Sequence, residues 1–426
     1  MELKEYQIEG STFLAKRKRA LLADDMGLGK TAQATHACDL IQAKKILIVC
    51  PASVKYHWKN EFKTWSKYKR QVEVVKNGKY KFLRDQQIVI INYELLLKPR
   101  LFNTLYNQNW DVLIADEAHY LKALTSQRTK KVLGNFGLVK ATKYIWMLTG
   151  TPVENRPVDL FPMMFVLARS NLGKHNTYER FVMHFCDGYY DRATGLPTPH
   201  GASNEPELNR SLDGFMLRRT LENSLPETDI QVIRLTKTAA MENLEEDIPQ
   251  DMVNDFFEKP IHELGALASL RQEIALSKMK EAIEYIKDTL KVVDKLVIFA
   301  YHRAVISMLE RELNAYLPVI YMGGLTAEKR EEIREHFITE KRCRLIIGQL
   351  KAAGTGLDGL QKVCHHMIFV EIDWVPFKQC IGRLKRMGQK KDRVIVQLLV
   401  CEDSMEEAML GTVKSKLKSI NTILGD

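Results

Sequence analysis

At 426 residues the chain exceeds the roughly 100 to 200 residues of one ordinary domain, so two or three compact units are expected and a single small scaffold is excluded. Hydrophobic residues make up 45 % and charged residues 27 %, a globular mix that fits neither a disordered nor a fibrous chain. The net charge of +10 is uneven: the first hundred residues carry 20 Lys and Arg against 10 Asp and Glu, and such a local excess suits a polyanionic partner such as nucleic acid.

Up to about residue 150, short β-branched runs alternate with helical patterns, and residues 46–49, 88–91, 112–114 and 144–147 read as buried strands. Continuous apolar strands between helices imply a parallel sheet covered on both faces. Residues 155–225 look helical and irregular, and 241–258 hold seven acidic and no basic residues, the pattern of a solvated linker or helical protrusion. The strand pattern returns at 296–299, 345–347, 367–370 and 394–396. The expected fold class is α/β, with a first lobe over 1–160, a helical insertion and connector over 161–235, a linker or protrusion over 236–290 and a second lobe over 291–426.

The segment from Leu21 to Thr31 runs from an apolar strand through glycines into a helix-forming stretch, the order a phosphate site requires. Gly27 and Gly29 let the backbone turn its N–H groups toward phosphate oxygens, and the helix start adds donors and the positive dipole end. Asp24, Asp25, Met26 and Leu28 complete this loop. Lys30 would reach the β and γ phosphates of a nucleotide, and the Thr31 hydroxyl would hold Mg²⁺. A strict P-loop has glycine where Asp24 stands.

After the strand at 112–115 come Asp116, Glu117, Ala118 and His119, carboxylates at the C-terminal edge of a parallel strand, where α/β sheets hold ligands. Asp116 would orient Mg²⁺, and Glu117 would activate a water for in-line attack on the γ phosphate. Leu148-Thr149-Gly150-Thr151-Pro152 closes another strand; its loop could report the γ phosphate to a DNA surface, with Thr149 a candidate DNA contact.

Together these residues resemble the Swi/Snf ATPases of helicase superfamily two, over nearly the whole chain. Tyr6, Gln7 and Gly10 look like the adenine-side segment, 24–31 like motif I with Asp25 where Glu is usual, 116–119 like the DEAH box and 149–152 like motif III. Phe215-Met216-Leu217-Arg218-Arg219-Thr220, followed by Leu225 and Pro226, resembles the family's lobe-connecting signature. The resemblance implies two RecA-like parallel-sheet lobes in tandem, with helical insertions between them, ATP as nucleotide through Gln7, and Mg²⁺.

In the second lobe, residues 379–389 resemble motif VI, with Lys385 in place of the usual His. Arg383 and Arg386, spaced i, i+3, would share a helix face and act as arginine fingers across an interlobe cleft, with Gln379 near the attacking water. Residues 352–358, including Gly354, resemble motif V. Pro51-Ala52-Ser53 resembles motif Ia and Asn92-Tyr93-Glu94 motif Ib, which makes Ser53 and Tyr93 candidate DNA-backbone contacts. Lys55, Lys59, Lys63 and Lys67 recur every four residues as a basic stripe, with Lys55 and Lys59 the first candidates for phosphate contact, while Trp58, Phe62 and Trp65 read as core. Backbone contacts carry no base code, so little sequence specificity is expected.

The seven cysteines form no CxxC pair, which suits a reducing compartment, and no stretch approaches the roughly 18 apolar residues of a membrane span. Cys364, His365, His366 and His302 could be imagined as metal ligands but lack a matching second pair. The expected activity is a DNA-dependent ATPase that tracks along duplex DNA, as a monomer in the cytoplasm. Phe185-Cys186-Asp187, Gly201-Ala202-Ser203-Asn204, Ala268 to Gln272 and Phe299 to Arg303 look most like the annealing-helicase branch, which remodels forks and junctions. A motor without accessory modules suggests a bacterial or phage source. A strand-separating helicase, for which a wedge hairpin is expected, and an ATP-gated DNA clamp are the alternatives.

Overall fold

The computed structural model describes residues 2–79, 87–220, 226–246, 267–353, 357, 359–386, 388–404, 406–407, 410 and 422–423. By its internal contacts the chain divides into two compact units, Met1–Leu221 with Leu417–Asp426, and Glu222–Lys416.

In the first unit the apolar runs form β1 (Arg19–Leu22), β2 (Ile46–Cys50), β3 (Val72–Val74), β4 (Ile88–Asn92), β5 (Trp110–Asp116) and β6 (Thr142–Leu148). A small antiparallel hairpin follows, β7 (Tyr189–Tyr190) and β8 (Pro197–Thr198), and then β9 (Met216–Leu217). The main sheet has the order β3-β4-β2-β5-β6-β1-β9, and its pairs are parallel. Crossover helices join the strands: α1 (Glu5–Lys16) precedes β1, α2 (Lys30–Leu40) and α3 (Lys55–Trp65) flank β2, and α4 (Pro99–Tyr106) and α5 (Gln127–Leu133) flank β5. The expected helical insertion contains α6 (Phe161–Leu167), α7 (Tyr178–Phe185) and α8 (Glu205–Ser211).

The second unit is built on β10 (Glu227–Leu235), β11 (Leu296–Ala300), β12 (Val319–Tyr321), β13 (Leu345–Gln349), β14 (His366–Phe369) and β15 (Arg393–Cys401), in the order β10-β15-β14-β11-β13-β12, again all parallel. Successive strand residues alternate between two apolar layers. Leu296, Ile298 and Ala300 of β11 pack in one layer with Leu345 and Ile347, while Val297 and Phe299 face the other with Ile346, Met367 and Phe369. Both faces are covered, which is why these strands read as unbroken apolar runs.

The α/β class with two parallel-sheet lobes is therefore as the sequence implies. The expected connector over 161–235 is shorter than proposed, because its last nine residues form β10, whose full length pairs with β15. Of the acidic stretch, 241–246 closes the helix Ala239–Glu246, and 247–258 lies outside the described residues. All seven cysteines are free and buried. Among the described residues no helix is long and apolar enough to cross a membrane.

Candidate nucleotide site and nucleic-acid surface

Between the end of β1 and the start of α2, the backbone turns at Gly27 (φ 88°) and Gly29 (φ 71°), left-handed conformations that glycine adopts without a Cβ penalty. Gln7 of α1 lies over this turn: its Nε2 donates to Leu28 O at 3.3 Å and sits 2.5 Å from where a Cβ on Gly29 would be. Lys30 opens α2 and is half-buried, its Nζ donating to Asp24 O (2.7 Å) and Asp25 O (3.2 Å). Burial lowers its pKa, and the charges of Glu117, Asp24, Asp116 and Asp25 oppose that effect.

Asp24, the departure from the P-loop pattern, has no solvent exposure and is held by a residue 195 positions away. Arg219 grips it with two bonds, Nε to Oδ1 at 3.0 Å and Nη2 to Oδ2 at 2.5 Å. The same guanidinium reaches Gln33 Oε1 (2.8 Å), Glu9 and the Tyr6 carbonyl, and Gln33 Nε2 returns to Asp24 Oδ2 at 3.0 Å. Gly10 makes room for this cluster, since a Cβ there would meet Gln33 Oε1 at 1.8 Å and Arg219 Nη2 at 2.6 Å. Arg218 donates to Ala23 O (2.9 Å) and Asp25 Oδ1 (3.3 Å). The segment that resembles a lobe connector is thus also a clamp: β9 extends the sheet beside β1, and its two following arginines fix the phosphate loop. The Asp24 carboxylate is thus engaged by Arg219 and Gln33 within this cluster.

Asp116 ends β5 and Glu117 follows in a left-handed conformation (φ 50°), strained for a side chain with a Cβ. The Asp116 carboxylate accepts from Trp58 Nε1 (2.7 Å) and Glu117 N (3.0 Å). Burial, and then the adjacent Glu117 charge, raise its pKa to about 6. Two carboxylates crowded in a half-buried corner suit a divalent cation, and Thr31 and Asp116 have the oxygen chemistry to hold one. Tyr93 OH donates to the Asp116 carbonyl at 2.8 Å, and its ring stacks on Tyr120 at 5.5 Å.

His119 connects this corner to the loop after β6. Its Nδ1 lies 3.2 Å from Glu117 Oε2 and 3.1 Å from Thr149 Oγ1, and its Nε2 is 3.6 Å from Glu154, which pairs with Lys122 at 2.7 Å. Burial opposes its charged form, but Glu154 and Glu117 outweigh this and raise its pKa. Gly150 packs on the phosphate loop, 3.1 Å from Met26 Cγ and 3.4 Å from Lys30 Nζ measured from a built Cβ. Thr149 is fully buried against His119, so its side chain does not offer the DNA contact expected of it.

Two further DNA candidates are corrected. Lys55 is buried, its Nζ donating to Val75 O (2.8 Å) and Asn92 Oδ1 (3.0 Å), and burial lowers its pKa; it ties α3 to the sheet. Tyr93 has no exposed surface and supports Asp116. Ser53, Lys63 and Lys67 are exposed and Lys59 half-exposed, so the basic surface remains but begins one turn later. Beside it Lys63, Lys69 and Arg70, with Phe62, Ser66, Tyr68 and Val72, line a cavity of about 220 Å³.

In the second unit Gln379 is buried near the end of the helix Trp374–Ile381. That helix stops before both arginines, contrary to the expectation of one helical face; Arg383 and Arg386 lie on the turn beyond it, Arg383 buried and Arg386 half-buried. Gly354 lies outside the described residues.

Cys364, His366 and His302 have other occupations: Cys364 Sγ reaches the Lys295 and His366 carbonyls, His366 bonds Gln397 and His302 pairs with Glu371. His175, His184 and Glu207 cluster elsewhere, but the two rings stack 3.8 Å apart at 6°. Parallel rings cannot both aim an in-plane lone pair at one ion.

The SNF2-related domain matches residues 6–286. The bovine protein named DNA annealing helicase and endonuclease ZRANB3 is 27 % identical over 451 residues, covering 99 % of this chain and 40 % of that protein. A Caenorhabditis elegans homologue of SWI/SNF-related matrix-associated actin-dependent regulator of chromatin subfamily A-like protein 1 is 28 % identical over 439 residues, covering 98 % of this chain and 61 % of the relative. The chain thus spans less than two thirds of either relative. A Sulfolobus solfataricus SWI2/SNF2 ATPase core in complex with double-stranded DNA is 24 % identical, with a TM-score of 0.46 over 100 % of this chain and 95 % of that one. With its domain matched across well over half the sequence, this chain belongs to the SNF2-related family.

Proposed function

We propose that the protein is a DNA-stimulated ATPase that tracks along duplex DNA and remodels forks or junctions, a reading supported by its likeness to a protein named DNA annealing helicase. Gln7 and the backbone of 24–29 would seat the nucleotide, Lys30 would neutralise its phosphates, and Glu117 would take a proton from the attacking water. Mg²⁺, held by Thr31 and Asp116, would supply charge neutralisation at the phosphates. Gln379, Arg383 and Arg386 would contribute to stabilising charge on the phosphates during hydrolysis, and Gly354 would contribute to the same nucleotide response.

One observation carries the link to DNA. Helix α3 presents Lys59 and Lys63 toward solvent, and its inner face places Trp58 Nε1 2.7 Å from Asp116. A phosphate backbone that draws on this helix acts on the same rigid element that orients the carboxylate. ATPase rates with single-stranded, duplex, forked and four-way DNA test the reading. A translocase turns over faster on longer duplex until saturation; rates indifferent to duplex length would favour a clamp, and rates indifferent to DNA would refute the proposal.

The surface has its own test. Replacing Lys59 and Lys63 with Gln is expected to reduce the slope of log affinity against log salt by about one per lost phosphate contact. An unchanged slope would assign both lysines to solubility.

A further inference from the structure

The face of the first unit opposite α3 carries a second basic surface. From β2 the chain crosses through α3 toward the β3 end of the sheet, whereas the crossovers β4–α4–β5 and β5–α5–β6 run toward the β9 end. Right-handed crossovers that run in opposite directions place their helices on opposite faces. Trp58 and Phe62 of α3 accordingly share a core layer with Ile46, Ile48, Ile88, Ile90 and Ile114, to which neither α4 nor α5 contributes a described residue. A straight duplex laid along the outer side of α3 cannot touch the outer side of α4 and α5, because the sheet and its apolar layers stand between.

Residues 95–110 and 118–153, which include α4, α5 and β6, hold eight Lys and Arg and no Asp or Glu. Two of the eight have acidic partners: Lys122 pairs with Glu154 at 2.7 Å and Lys143 with Asp111 at 2.8 Å. Glu94, just ahead of α4, accepts from Asn92 Nδ2 at 2.6 Å. Lys98, Arg100, Arg128, Lys130, Lys131 and Lys140 meet no carboxylate among the described residues, and Lys98, Arg100, Lys130 and Lys140 are exposed. The layer is firm: Lys131 Nζ sits 3.9 Å over the Phe102 ring of α4, and Arg128 lies 5.5 Å over the Tyr120 ring. Between Lys131 and Lys140 the chain turns, Gly137 N donating to Gly134 O at 2.8 Å, and presents Phe136 with 82 % of its surface exposed. A folded protein partner carries both signs of charge and would need carboxylates on this face to meet its own cations. Six unmatched cations with no acidic residue among them fit a partner of one sign throughout, the phosphodiester backbone of nucleic acid.

We propose that the α4–α5 face is a second DNA-binding surface, which holds the backbone of one duplex arm while another lies against α3. The inference rests on the reading of the chain as a DNA-dependent ATPase and adds to it a physical source of preference for branched DNA. A junction delivers its second arm at the high effective concentration that tethering gives, whereas a linear duplex engages one face at a time.

The test compares the wild type, the quadruple variant Lys98→Gln/Arg100→Gln/Lys130→Gln/Lys140→Gln and the pair Lys59→Gln/Lys63→Gln on a linear duplex and on four-way DNA, over a series of salt concentrations. All four positions of the quadruple variant are exposed, and matching thermal melts identify the folded state. On four-way DNA its slope of log affinity against log salt is expected to fall by about 0.9 for each phosphate contact removed, and the wild-type preference for four-way over linear DNA should disappear. Its affinity for linear duplex, and the ATPase rate that duplex stimulates, should stay unchanged, whereas Lys59→Gln/Lys63→Gln should weaken binding of both DNAs. A benzophenone side chain substituted at Phe136 should crosslink to four-way DNA. An unchanged slope and preference in the quadruple variant, or no crosslink from position 136, would overturn the proposal and leave this face to solvent or to an acidic protein. An equal loss on both DNAs would overturn it by placing these cations on the tracked duplex, and so would a wild type that binds both DNAs equally. Absence of DNA-stimulated turnover in the wild type would instead refute the underlying activity, a separate result, since the slope and the crosslink read binding alone.

Discussion

Replacing Glu117 with glutamine is expected to slow ATP turnover by about 10²- to 10⁴-fold while leaving nucleotide affinity within a few-fold of wild type. The amide has the same size and can keep the contact to His119, which lies 3.2 Å from Glu117 Oε2, so the fold of the corner should survive. What it cannot do is accept a proton from water. Nucleotide affinity should persist because the groups proposed to hold phosphates, Lys30 and the loop of Gly27 and Gly29, are untouched. The left-handed backbone at Glu117 makes a glycine replacement a poorer test, since it would also relieve backbone strain worth about 1–3 kcal/mol. Single-turnover hydrolysis and binding of a fluorescent ATP analogue, measured on the same preparation, separate the two effects. Turnover near the wild-type rate would remove Glu117 from the role of base.

The sheets were legible because their strands lie buried on both faces, and an unbroken apolar run survives translation into a single-sequence pattern. Lys30 stood out because glycines between a strand and a helix, followed by Lys and Thr, have few structural uses, and Asp116 and Glu117 stood out only in combination with that loop. The basic stripe on α3 was legible only in part. A spacing of four residues advances about 400° on a helix with 3.6 residues per turn, so each lysine drifts about 40° from the last. Lys55 has rotated off the face of Lys63 and into the sheet, where two oxygens hold its ammonium. The i, i+3 spacing of Arg383 and Arg386 failed for another reason: a periodicity cannot say where a helix stops, and this one stops at Ile381. Trp58 read as core, and it is, but its indole N–H bond to Asp116 depends on a partner 58 residues away that no local pattern encodes. The hairpin gave no signal because strands of two residues have no alternation to detect.

Arg219→Ala is the second change expected to have a large effect, and it tests the least legible part of the site. Removing the guanidinium leaves the Asp24 carboxylate in a position with no solvent exposure, its ionic partner gone and Gln33 as its remaining side-chain donor among the bonds described above. Breaking a buried ion pair from one side costs about 3–5 kcal/mol, because the surviving charge stays desolvated. Spread over a unit of this size, that loss corresponds to a fall in melting temperature of about 10 °C. The phosphate loop should loosen with it, since Asp24 and Asp25 carbonyls hold Lys30, and ATP affinity should drop even though Arg219 is not proposed to touch the nucleotide. The conservative pair separates structure from charge: Arg219→Ala/Asp24→Asn removes both ions and should recover part of the melting temperature, giving a double-mutant coupling well above the few tenths of a kcal/mol seen for independent sites. Additive losses, or an Arg219→Ala protein that melts and binds ATP like the wild type, would mean that the clamp is incidental and that the loop holds its shape through Gly27, Gly29 and Gln33 alone.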